Sequence, residues 1–69
     1  MDVEITGESI RLGQFLKLSG LAESGGQAKE LIAEGEVTVN GRAAESRGQS
    51  LADGDVVAAL GTTATVRGT

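Results

Sequence analysis

These 69 residues predict an α+β fold, with a pair of packed N-terminal helices on a small, mostly antiparallel sheet. Three observations predict it. Ala28, Leu31 and Ile32 recur at helical spacing behind Ser24, an N-cap whose hydroxyl can accept from an amide one turn on. Val37 and Val39 then alternate with Glu36 and Thr38, the period of a strand with one face buried. Leu12, Phe15, Leu16 and Leu18 give an earlier stretch the i+3 and i+4 spacings of another helix.

Taken in order, 2–6 alternates polar and apolar and reads as a strand with Val3 and Ile5 inward. The turn 7–9 ends at Ser9, a candidate cap for a first helix over 10–18. Gly13 inside that helix costs about 1 kcal/mol relative to alanine. Gly20 is the expected stop, with Leu21 folding back, and Ala22-Glu23 links to Ser24. Gln27 can reach back as in a capping box. Gly35 suits the left-handed residue that closes the second helix. Asn40-Gly41 fits a two-residue type I′ turn returning 42–45 antiparallel to Val37–Val39. Residues 46–50 read as a polar loop and Leu51 as an isolated apolar residue before a turn at Asp53–Asp55. The run 56–60 reads as a buried strand, 64–66 as an edge strand, and 67–69 as a frayed end.

Composition narrows the function. One domain over 1–69 is expected, with a small aliphatic core, since Phe15 is the sole aromatic residue. With no cysteine there is neither a disulfide nor a thiolate metal site, which is compatible with a reducing cytoplasm. No leader and no membrane-spanning run is read. With no histidine or cysteine, and no serine beside an obvious base, an enzyme is not expected. Asp53 and Asp55 fall short of an oxygen cage for a metal, and a turn explains them. The Asn-Gly and Asp-Gly-Asp pattern has some likeness to ubiquitin-like sulfur carriers. Those need a terminal Gly-Gly, and this sequence ends Arg67-Gly68-Thr69. No cofactor is expected.

The net charge is −4, against the basic excess usual in nucleic-acid binders. Its distribution matters more. From Ser9 to Arg47, five basic residues balance five acidic ones, and the surplus acid lies at the two ends.

The first helix, then Ser24, Ala28, Leu31-Ile32, Gly35, Val37, Val39-Asn40-Gly41, and then Leu51, Gly54-Asp55 and Val57 resemble the alpha-L RNA-binding motif. This is the S-four domain, named after the fourth protein of the small ribosomal subunit. Lys17-Leu18, Gly20-Leu21 and Ser24-Gly25-Gly26 resemble its small stand-alone bacterial members. The resemblance covers about 10–60. It implies a strongly bent sheet under the helix pair, and structured RNA gripped by the helices and hairpin. The sequence departs from the family pattern in three places. Gly25 stands where most members carry Arg, Gly13 where an acid is common, and the loop after the hairpin keeps only Arg47.

The leading candidate contact is the start of the second helix. There Ser24, Gly25, Gly26 and Gln27 surround free amides at a positive dipole end, with Lys29 one turn up. Arg11, Lys17, Arg42 and Arg47 are the other candidate phosphate contacts, although solvation alone accounts for any exposed cation. With no aromatic side chain free to stack, backbone and shape recognition is expected. The expectation is a cytoplasmic, monomeric, non-catalytic binder of structured RNA (ribosomal or tRNA-like). The alternative is a module of the same fold binding a protein partner or the ribosome surface.

Overall fold

The computed structural model describes residues 1–68. Seven strands and two helices follow the order β1 (Asp2–Glu4), β2 (Ser9–Arg11), α1 (Leu12–Leu18), α2 (Gly25–Ala33), β3 (Val37–Val39), β4 (Arg42–Ala43), β5 (Ser50–Ala52), β6 (Val56–Ala59) and β7 (Thr62–Arg67). Five strands form a mixed sheet in the order β1-β7-β6-β3-β4, in which only β1 and β7 run parallel. β2 and β5 pair antiparallel as a separate ribbon.

The α+β class and the helix pair agree with the sequence, but the helices are not the first elements. Two strands precede them, because 9–11 is not the start of a helix. Ile10 is half-buried between exposed Ser9 and Arg11, and it pairs with the fully buried Leu51. Ser9 therefore caps nothing, and Leu51 is not isolated. Ser50, expected in a loop, belongs to the same ribbon. The expected return strand 42–45 is regular only over Arg42–Ala43, with Ala44 N–H still donating to the Val37 carbonyl.

The expected edge strand 64–66 is an interior strand, β7, flanked by β1 and β6. The expected fraying at 67 and 68 is absent. Arg67 closes β7 and pairs with Asp2 at 3.3 Å, while Gly68 N–H donates to Asp53 Oδ1 at 3.0 Å. Thr69 lies outside the described residues.

The core forms where the two periodicities meet. Leu12, Phe15 and Leu16 from α1 and Ala28 and Leu31 from α2 are buried. They pack with Val37, Val39, Val57, Ala59, Ala64 and Val66 from the sheet's inner face. Ile32 joins at the margin. α2 closes as expected: Gly35 at φ 75° lets Glu36 N–H reach the Leu31 carbonyl while Gly35 N–H reaches that of Ile32.

Two hairpins use the same turn. Asn40 and Gly41 lie at φ 53° and 82°, and Leu60 and Gly61 at 52° and 78°. The run 56–60 thus stops one residue short of its expected end, and Leu60 is a turn residue. A left-handed leucine is strained, and at 60 % exposure packing returns little of that cost. Leu60→Asn is expected to stabilise the fold by about 0.5–1 kcal/mol, read as a raised thermal midpoint.

A candidate nucleic-acid interface

The loop between β4 and β5 is bound tightly to the start of α1. Three consecutive residues hold three consecutive carbonyls. Arg11 Nη1 donates to Gly48 at 2.7 Å, Leu12 N–H to Gln49 at 2.8 Å, and Gly13 N–H to Arg47 at 2.9 Å. No side chain caps α1. The loop carbonyls take that role, satisfying amides that a helix start leaves open. The loop closes on itself as Gln49 Oε1 accepts from Glu45 N–H at 3.0 Å.

This docking explains Gly13, a poor helix residue by propensity. A Cβ there would stand 3.2 Å from Arg47 Cβ and 3.5 Å from the Arg47 carbonyl. With no side chain at Gly13 the loop lies close against the helix, and a Cβ there would require Arg47 to shift by a few tenths of an ångström.

The second helix begins as its sequence indicates. Ser24 Oγ accepts from Gln27 N–H at 3.1 Å. The reciprocal bond is shifted by one residue: Gln27 Oε1 accepts from Glu23 N–H at 2.5 Å, rather than from the cap residue. Among the described residues, the amides of Gly25 and Gly26 have no acceptor.

Between these two helix starts and the loop lies an open groove of about 500 Å³. Arg11, Lys17, Gly25 and Arg47 line it, four of the nine residues nominated from sequence, together with Gly13, Gln14, Ser46 and Gly48. Ser24, Gly26 and Gln27 adjoin it without lining it. Lys29, one turn along α2, and Arg42, on edge strand β4, are exposed and lie outside it. Gln14 lies outside the set expected from the sequence, although its spacing of three residues from Lys17 marks a shared face of α1.

The charge distribution now has a spatial meaning. The chain carries ten acidic residues against six basic ones, yet three cations and no carboxylate line the groove among the described residues. Arg67, the one basic residue outside the nominated set, is taken by Asp2. Among the described residues, Arg11, Lys17, Lys29, Arg42 and Arg47 have no carboxylate within 4.0 Å. No set of three potential ligands for a metal ion occurs among the described residues, and no helix is long and apolar enough to cross a membrane.

Residues 3–67 match the profile of the S4 domain. The chain is also 49 % identical over 55 residues to "Probable ribosome maturation protein RlbA" of Bacillus subtilis (strain 168), covering 80 % of this chain and 78 % of that protein. A match over nearly the whole length, together with a relative of similar extent, shows that this chain belongs to the S4 domain family.

Proposed function

We propose that this chain is a non-catalytic, single-domain cytoplasmic protein that binds structured ribosomal RNA as a monomer and serves ribosome maturation. The observation that carries the reading is a groove lined by three cations without a carboxylate partner, on a protein of net charge −4. The family and the name of the Bacillus relative support the same direction. Arg11, Lys17 and Arg47 meet phosphates in the groove. Gly25 and Gly26 offer amides at the positive end of α2, with Ser24 and Gln27 holding that end open. Lys29 and Arg42 extend the contact along α2 and the hairpin.

Affinity then comes from counterion release. Five phosphate contacts limit the slope of log affinity against log salt to about −3.5 to −4.5. Titrating the protein with ribosomal RNA fragments at several salt concentrations tests this. A negative slope within that limit is expected, and no binding at low salt would refute it. The acid on edge strand β1, at Asp2 and Glu4, favours the second reading, a protein partner on the ribosome surface. Co-purification that survives nuclease and moderate salt would establish that reading.

A further inference from the structure

We infer that the groove receives a single unstacked nucleotide of the RNA, with Gln14 reading the edge of its base. With RNA as the ligand, the reading on which this rests, three features favour a nucleotide over a bare phosphate. First, a volume of about 500 Å³ falls in the range of small-molecule sites and exceeds what one phosphate fills. Second, the walls have different chemistries. Arg11 is held by the Gly48 carbonyl and presents a fixed charge, whereas the Lys17 and Arg47 heads have no carboxylate partner. A guanidinium plane can stack on a base where no aromatic ring is at hand, and Phe15 is buried. Third, Gln14 is the lining side chain whose amide can both donate and accept, the chemistry that distinguishes base edges. It is exposed on α1, midway between Arg11 and Lys17. The space beside Gly25 is open, since a Cβ there would meet nothing within 4 Å.

RNA bases become available to such a site in bulges and loops, so the preference is for an interrupted stem over a continuous one. The test uses the full chain and five RNA hairpins: a fully paired parent and four copies carrying a single bulged A, C, G or U. At least one bulged hairpin is expected to bind about tenfold tighter than the parent, the worth of one good base-edge contact. Gln14→Leu, which keeps helix propensity on an exposed position, is expected to abolish that preference, so that the variant binds bulged and fully paired hairpins alike. Equal, salt-sensitive binding of all five hairpins would overturn the nucleotide site and leave RNA binding intact. A preference that survives Gln14→Leu would overturn the role given to Gln14. Failure of every hairpin to bind at low salt would overturn both the site and the RNA-binding reading.

Discussion

Reversing the two free cations of the groove, in Lys17→Glu with Arg47→Glu, is expected to lower RNA affinity about a hundredfold or more at roughly 0.1 M salt. Two charge-assisted contacts of about 1.5 kcal/mol each already give that factor, and the introduced carboxylates add repulsion. The salt slope should also become shallower by about 1.4–1.8, because two fewer phosphates are neutralised. Both side chains are exposed and neither is paired with a carboxylate, so the thermal midpoint should hardly move. Lys29→Glu with Arg42→Glu makes the same change in net charge outside the groove. It should cost clearly less. Equal losses from the two pairs would mean that binding is not centred on the groove.

The second large effect concerns stability. Asn40 Nδ2 donates to Asp55 Oδ1 at 3.0 Å, and Asn40 Oδ1 accepts from Val56 N–H at 2.9 Å. Asp55 Oδ2 in turn accepts from Ala52 N–H at 2.9 Å, and Asn40 N–H donates to the Val56 carbonyl at 2.7 Å. The Asn-Gly and Gly-Asp pieces of the sequence pattern are therefore one clasp, joining the β3–β4 hairpin to the β5–β6 turn. Asp55→Ala should cost about 2 kcal/mol, lowering the thermal midpoint by about 8–16 °C in a domain of this size. Asn40→Asp keeps a residue that tolerates the left-handed turn but sets a carboxylate against Asp55, and should cost a similar amount. The double variant should lose less than the sum, because both changes break the same bond. Full additivity would show that the clasp is not a unit.

The unit from Ser24 to Gly41 was legible because each of its signals is local. A cap, a helical stripe, a left-handed glycine, a strand alternation and a turn dipeptide all lie within a few residues of the features they specify. The β2–β5 ribbon was not legible. It consists of two three-residue strands some forty positions apart, and Leu12 to Leu16 draws Ile10 into a helical reading until Leu51 is placed beside it. Leu60 was misassigned because an apolar run carries no turn signal except the glycine after it. The candidate cations were legible as residue types, but their grouping was not. The docking of the Arg47, Gly48 and Gln49 carbonyls on residues 11–13 brings the loop to α1, and that docking selects Arg11, Lys17 and Arg47 from the five. Gln14 was visible only through its spacing.

The most direct measurement is a titration of isotope-labelled protein with structured ribosomal RNA fragments at two salt concentrations, followed on backbone amides. Salt-sensitive shifts gathered on Gly13, Gln14, Gly25, Gly26 and Gly48 are the predicted result. Shifts confined to the β1 edge or the outer face of the sheet, or none even at low salt, would contradict the assignment of this groove as the RNA-binding surface.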